Sequence, residues 1–223
     1  MKTTLKIKTA AVLACMGMFT MAIVQSGSAA NLLSDPNFAS GTAVPSGMGG
    51  WATFNGAAFS SNFTLGPTTF SMEDSGPGGY HVPGSFQYVA ATPGVSYLFT
   101  GYAYIPTALA SSADQGFLQI TFVDSTTTQN LGTVQTSPGN ALVSSPVINN
   151  ASATGTWIEM SEIATAPANT AYAEPFTLVL DADAPTTVYF DDLSLTVVPE
   201  PATLSLCALG LAGFAGLRLR RKA

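Results

Sequence analysis

The chain has 223 residues, of which seven are Lys or Arg, thirteen are Asp or Glu and one is His, and its formal net charge is −6 at pH 7. All seven basic residues lie at positions 2 to 8 or 218 to 222, so residues 31–198 carry twelve carboxylates and no Lys or Arg. Because neutralising phosphates needs Lys or Arg, the sequence argues strongly against nucleic acid or anionic lipid as a binding partner of this span. Both cysteines, Cys15 and Cys207, also fall outside it, which excludes disulfides and thiol chemistry there.

Residues 1–30 predict a secretory signal peptide. Three lysines within the first eight residues precede an apolar run, Ala10–Val24, and the small residues Ser28-Ala29-Ala30 follow it. This order of charge, apolar run and small residues is typical of export signals. We expect cleavage after Ala30, which makes Asn31 the first residue of the mature protein.

Residues 31–198 predict a single all-β domain. Short β-rich runs are separated by Gly, Pro and Ser at regular intervals, with no helical periodicity, and this favours an antiparallel sandwich or barrel. The predicted strands are 50–54, 58–65, 68–72, 86–91, 95–105, 117–123, 131–134, 156–163, 176–180 and 188–197. Thr92-Pro93-Gly94 predicts a hairpin turn between two of them, residues 73–84 are predicted as a loop, and a change of phase at Asp191-Asp192 indicates a β-bulge.

The domain offers little for catalysis. His81 lies in a Gly/Pro loop without a nucleophile motif, where a surface-loop role is favoured over a catalytic one. Asp191 and Asp192 are consecutive on a strand and point to opposite faces, so they cannot flank one glycosidic bond. Asp181 and Asp183 lie at a strand end and resemble turn-capping residues. We therefore predict that the protein is not an enzyme.

Aromatic residues are better candidates, because flat rings stack on sugars. Tyr102 and Tyr104 share one strand face and, with Trp51, are the predicted carbohydrate site. The alternative is that these rings, like most aromatics of a sandwich, pack in or around the core. The same alternative holds for Tyr80, Tyr88 and Trp157. Without Lys or Arg, an anionic polysaccharide is disfavoured unless a divalent cation bridges it.

The C-terminal residues 199–223 have three parts in order. Pro199-Glu200-Pro201 is held extended by its prolines, Ala202–Leu217 is apolar, and Arg218, Arg220, Arg221 and Lys222 form a basic cluster. Sixteen apolar residues make about 24 Å of helix, which snorkelling arginines can extend toward the ~30 Å of a bilayer core. The stretch predicts a single transmembrane helix with its basic end inside.

This order resembles the PEP-CTERM sorting signal of Gram-negative bacteria. The resemblance implies export, a transient anchor in the inner membrane, recognition of Pro199-Glu200-Pro201 by an exosortase, and a final place at the cell surface or in the extracellular matrix of a biofilm. An ordinary C-terminal membrane anchor is the alternative. Such an anchor has no need of Pro-Glu-Pro at its outer edge, which favours the sorting signal.

The domain itself resembles the galactose-binding-like jelly rolls used as carbohydrate-binding modules. The resemblance rests on an ordered set of short matches: Asn31-Leu32-Leu33 with Phe38, Gly50-Trp51, Thr92–Tyr97, Trp157, and Tyr189–Leu195. It implies a jelly-roll β-sandwich with close termini and often a structural calcium. Ala39 stands where such modules commonly carry an acidic residue.

A calcium site is therefore predicted where the two ends of the domain meet. Asp191 and Asp192 are its candidate ligands from the last strand, and Asp35 and Asn37 those from the first segment, because calcium prefers carboxylate, amide and carbonyl oxygens. The alternative is that Asp191 and Asp192 only solvate an edge or hydrogen-bond a turn. No other cofactor is predicted.

Two functions remain open at this stage. One is a sugar-binding jelly roll carried to the cell surface, with extracellular polysaccharide as its partner. The other is a structural matrix or biofilm protein with no discrete small ligand.

Overall fold

The computed structural model describes residues 29–135 and 147–199. In these ranges the chain forms eleven β-strands and no helix. The strands are β1 Ala52–Phe54, β2 Ala58–Ser60, β3 Ser71–Gly76, β4 Gly84–Phe86, β5 Val89–Ala90, β6 Ser96–Tyr104, β7 Gln115–Val123, β8 Asn130–Gln135, β9 Trp157–Thr165, β10 Tyr172–Leu180 and β11 Thr186–Val197. The all-β prediction is confirmed.

The strands form two antiparallel sheets that pack face to face. One sheet, named here the β10 sheet, has the order β1-β4-β10-β7-β8, with β5 also paired to β10. The other, the β11 sheet, has the order β2-β3-β11-β6-β9. Neighbours in each sheet are mostly distant in sequence, so the fold is held by long-range pairing.

Alternation along the strands builds the core between the sheets. On β7, Leu118, Ile120 and Phe122 point inward and are buried, as their spacing predicts. On β6, Tyr97 and Phe99 point inward, whereas Tyr102 and Tyr104 lie on the outer face. The two facing rows of apolar side chains supply most of the hydrophobic stabilisation.

The predicted hairpin at Thr92-Pro93-Gly94 is wrong in one respect. The turn forms, with the Val95 N–H donating to the Thr92 carbonyl over 3.2 Å and Gly94 at a φ of 79°. However, β5 pairs with β10, and β6 pairs with β9 and β11, so the turn carries the chain from one sheet to the other. A Pro-Gly turn specifies a local reversal and not the partner of each strand.

The predicted loop 73–84 is also partly wrong, because β3 runs from Ser71 to Gly76 and pairs with β11. Most of this strand was not predicted, because its two adjacent carboxylates, Glu73 and Asp74, break the alternation of apolar and polar residues that is typical of a strand. Asp74 points into the core, fully buried.

The first segment of the domain clasps the last strand. The Asn31 side chain donates to the Leu193 carbonyl over 2.9 Å and accepts from the Leu195 N–H over 3.0 Å, and the Leu32 N–H donates to the Leu195 carbonyl over 2.8 Å. The close termini are thus confirmed. The predicted bulge is confirmed too, since the β11 register shifts between Asp191 and Ser194.

Within the described ranges, no helix is long and apolar enough to cross a membrane. The predicted transmembrane helix, Glu200, Pro201 and the basic cluster Arg218, Arg220, Arg221 and Lys222 lie outside the described residues, as do residues 1–28 of the predicted signal peptide.

Candidate functional site

Tyr102 and Tyr104 lie on the outer face of the β11 sheet, half-buried. Tyr104 is stacked by Phe63, with ring centroids 4.7 Å apart and planes 29° apart, and it also contacts Trp157 at 5.3 Å. Phe63 comes from the loop between β2 and β3, which folds over this face. One face of the Tyr104 ring is therefore already covered by the protein.

Asp191 holds that loop in place. Its Oδ2 accepts from the Leu65 N–H over 2.8 Å and from the Thr68 hydroxyl over 2.9 Å, and its Oδ1 accepts from the Asp192 N–H over 2.8 Å. Burial raises the pKa of this carboxyl, and the three donors oppose the rise. Asp191 thus joins the last strand to the loop that carries Phe63.

The other predicted calcium ligands are not grouped around a common point by any contact in the described ranges. The Asp35 carboxylate accepts from the Ser40 N–H and hydroxyl, Asn37 is half-buried, and Asp192 is exposed. Among the described residues, no group of three or more His, Cys, Asp or Glu side chains is placed to hold a metal ion. Calcium binding stays a prediction, with no carboxylate cluster in the described ranges to support it.

The prediction that Trp51 belongs to the sugar site is wrong. Only 1% of the residue is exposed, its ring packs on Phe38 at 5.2 Å, and its Nε1–H donates to the Asp35 carbonyl over 2.9 Å. A ring enclosed in this way has no face to offer a ligand, so Trp51 is a core residue.

His81, Asp181 and Asp183, with the neighbouring Asp114, make contacts within the chain. Asp114 accepts from the Ala182 and Asp183 N–H groups over 2.9 and 3.0 Å, and Asp183 accepts from the Ser111 hydroxyl over 2.6 Å. The backbones of His81 and Asp181 pair with each other in an isolated antiparallel bridge. These contacts order the loops at one end of the sandwich.

A second aromatic surface lies on the outer face of the β10 sheet. Phe86 is at its centre, with ring centroids 6.1 Å from Phe54, 5.5 Å from Phe176 and 5.5 Å from Tyr88, and Tyr88 lies 6.1 Å from Tyr172. All five rings are half-buried. They come from β1, β4, β10 and the residues around β5, and they form a continuous row.

A buried polar side chain lies beside these rings. On β10, Glu174 lies between Tyr172 and Phe176 on the same face, and only 9% of it is exposed. Burial raises its pKa, and a hydrogen bond from Tyr88 opposes the rise. Across the strand lies Thr121, whose hydroxyl accepts from the Gln119 side chain over 3.0 Å.

We name the six side chains that carry this surface the β10 face: Phe86, Tyr88, Gln119, Tyr172, Glu174 and Phe176. Rings and polar groups alternate on it at the two-residue spacing of a strand, about 7 Å. This arrangement suits a ligand that is apolar on its faces and rich in hydroxyls at its edges.

Sequence reasoning missed the β10 face for a specific reason. Phe176 and Leu178 appear as the apolar phase of their strand, but Thr177 and Val179 are the fully buried residues that face the core. This strand thus has a polar residue, Thr177, in the core and an apolar residue, Phe176, on the outer face, which is the reverse of the usual hydrophobic pattern. The pattern Tyr-x-Glu-x-Phe at 172–176 was the one visible hint.

Comparison with known proteins supports both the predicted sorting motif and the predicted fold. Residues 197–222 match the PEP-CTERM protein-sorting motif. The fold is similar to the CBM22-1 xylan-binding domain of Xyn10C from Paenibacillus barcinonensis, at TM-score 0.52 and 14% identity, covering 78% of this chain and 97% of that one. The chain thus carries the sorting motif, and its domain has the jelly-roll fold of carbohydrate-binding modules.

Parts of two larger proteins share the fold. They are an arabinose-bound α-L-arabinofuranosidase, MgGH51, at TM-score 0.53 and 18% identity, and the enzymatically active domain of tailspike protein 4 from bacteriophage CBA120, at 0.51 and 12%. The matches cover 77% and 75% of this chain but only 27% and 21% of those chains. No curated protein matches this sequence.

Proposed function

We propose that this protein is exported, is sorted by an exosortase through its C-terminal motif, and binds a neutral polysaccharide on the β10 face. In this proposal residues 1–30 are removed on export, residues 31–198 are the functional domain, and residues 199–223 anchor the precursor in the inner membrane until the motif is processed. The mature protein then acts at the cell surface or in the extracellular matrix.

The main observation in favour of this sugar site is that two aromatic rings, Tyr172 and Phe176, flank the buried carboxyl of Glu174 on β10. Sugar rings present C–H groups to aromatic faces and hydroxyls to polar groups, and Tyr172, Glu174 and Phe176 offer both within one strand. Burial raises the pKa of Glu174, and its carboxyl oxygens can accept hydrogen bonds from sugar hydroxyls. The domain has no Lys or Arg, so a neutral sugar fits better than an anionic one.

The binding test uses the exported protein on an array of neutral polysaccharides, followed by calorimetry on the best ligand. We expect Phe176→Ala and Tyr172→Ala to weaken binding by up to about tenfold each, since one stacking contact contributes about 0.5–1.5 kcal/mol. Tyr102→Ala serves as the matched variant on the opposite sheet and should leave affinity unchanged.

The outcomes separate three possibilities. Loss of affinity in Tyr102→Ala and Tyr104→Ala alone would move the site to the β11 sheet, as the sequence predicted. No affinity for any sugar at millimolar protein would instead favour a structural matrix protein without a discrete ligand.

The sorting half is tested by the intact mass of the extracellular protein. We expect a chain that starts at Asn31 and ends near Pro199-Glu200-Pro201. A product that retains Arg218 to Lys222 would contradict processing by an exosortase.

A further inference from the structure

The folded domain continues into the sorting motif without a spacer. Val197 is both the last residue of β11 and the first residue of the motif. The next residue, Val198, is still part of the fold, because its N–H donates to the Ser96 carbonyl over 2.8 Å. Pro199 is therefore the first residue beyond the last backbone hydrogen bond of the domain.

The sequence allows little distance between this point and the apolar run. Four peptide units join Val198 to Ala202, and they span at most about 14 Å when fully extended. The headgroup layer on each side of a bilayer takes up roughly 6 Å of that length. What remains, about 8 Å, is less than the ~10 Å that separates two packed sheets.

Three turns lie at the same end of the sandwich as Val198, namely residues 92–95, 124–129 and 166–171. The Gly94 N–H donates to the Ala166 carbonyl over 2.8 Å and the Ala171 N–H to the Val123 carbonyl over 2.9 Å, so the turns from both sheets form one rim. We name these three turns the tail rim. Most of its residues are exposed.

The charge of the domain is distributed unevenly between its two ends. Asp124 is the one carboxylate in the tail rim. At the opposite end, Asp114, Asp181 and Asp183 lie in the loops before β7 and after β10, where Asp183 is exposed and the other two are buried. Strands of nine residues separate the two ends by about 30 Å.

From this geometry we propose that the anchored precursor stands on the membrane with its tail rim against the lipid headgroups and its acidic end pointing away. The covalent tail enforces the contact, and the low charge of the rim lets it approach anionic headgroups. The exosortase then meets a folded domain in one fixed orientation. This inference rests on the membrane-anchored stage of the proposed function and is independent of sugar binding.

The test uses the membrane-anchored precursor and places a fluorescent label at one end or the other of its folded domain. Residues 31–198 have no cysteine, so Ala168→Cys in the tail rim and Ala113→Cys at the acidic end each give a single labelling site once residues 1–30, with Cys15, are removed on export and Cys207 is replaced by Ala. Both alanines are exposed. The precursor, purified from cells without an exosortase, is reconstituted into vesicles that carry a quencher on the lipid headgroup.

We expect strong quenching at position 168 and near-background quenching at position 113. Inserting about twenty Gly and Ser residues between Val198 and Pro199 adds a tether of roughly 25 Å and should abolish the difference. Equal quenching at both positions, in precursor that floats with the vesicles, would overturn the proposed orientation. Precursor that does not float with vesicles would instead refute the anchored stage itself.

Discussion

Glu162 allows a sharp prediction about stability and pH. It lies on β9, points into the core and is 2% exposed, and among the described residues neither carboxyl oxygen makes a hydrogen bond of normal geometry. Burial raises its pKa from 4.5 to about 9, and the nearby backbone of Ile120 opposes the rise. The folded protein therefore keeps Glu162 protonated at neutral pH, whereas the unfolded chain releases the proton.

The stability of the fold should consequently fall as the pH rises. Between pH 4.5 and 9 the folded state binds one proton more than the unfolded state, which costs about 1.4 kcal/mol per pH unit. At pH 7 the accumulated loss from Glu162 is about 3 kcal/mol. Asp74, whose pKa is raised well above its usual value by the same cause, acts in the same direction.

The perturbation is Glu162→Gln, which keeps the shape of the side chain and removes its titration. We expect the variant to gain about 3 kcal/mol over the wild type at pH 7 and almost nothing at pH 4.5. Urea unfolding followed by tryptophan fluorescence at several pH values measures both. Glu159→Gln on the same strand is the matched control, because it makes the same chemical change at an exposed glutamate. Parallel pH curves for wild type and Glu162→Gln would refute the reasoning.

Three further predictions concern the loop, a glycine and calcium. Asp191→Ala should cost about 2–4 kcal/mol, because three donors lose their acceptor, and hydrogen exchange should speed up at Leu65 while Asp192→Ala leaves it unchanged. Gly84→Ala should unfold at lower urea, since an added Cβ would lie 2.6 Å from both the Leu178 side chain and the Thr177 carbonyl; unaltered unfolding would show that β4 can shift. If calcium binds as the sequence predicts, EDTA should lower the melting temperature and calcium, but not sodium of equal ionic strength, should restore it; indifference to the chelator would remove the metal.

Local sequence predicted most elements but not all of their partners. The inward phases of β6 and β7, the bulge after Asp191 and the clasp of the first segment follow from alternation and family resemblance. The crossing of Thr92-Pro93-Gly94 between sheets could not be predicted, because strand pairing depends on the whole chain.

The candidate site was predicted less well, for a related reason. The β10 face collects rings from strands that are far apart in sequence, and Phe176 stands on an apolar outer face that looks like a core face. Buried carboxylates such as Asp74 and Glu162 run against the usual pattern of polar outside and apolar inside. For Trp51 the sequence left both a sugar contact and a place in the core open, and the structure shows the place in the core.

The position of β11 affects the order in which the protein becomes complete. It is the last strand made, yet it is the central strand of its sheet, between β3 and β6. Because the chain is made from its first residue to its last, β3 and β6 are made before the strand that lies between them. This sheet can therefore form completely only after residues 186–197 have been made. Folds that depend on such late, distant pairing assemble slowly, in milliseconds to seconds. Since the motif follows immediately, the sheet is complete only when the chain has been made as far as the motif, and a truncated chain lacking residues 186–197 has no central strand to close this sheet.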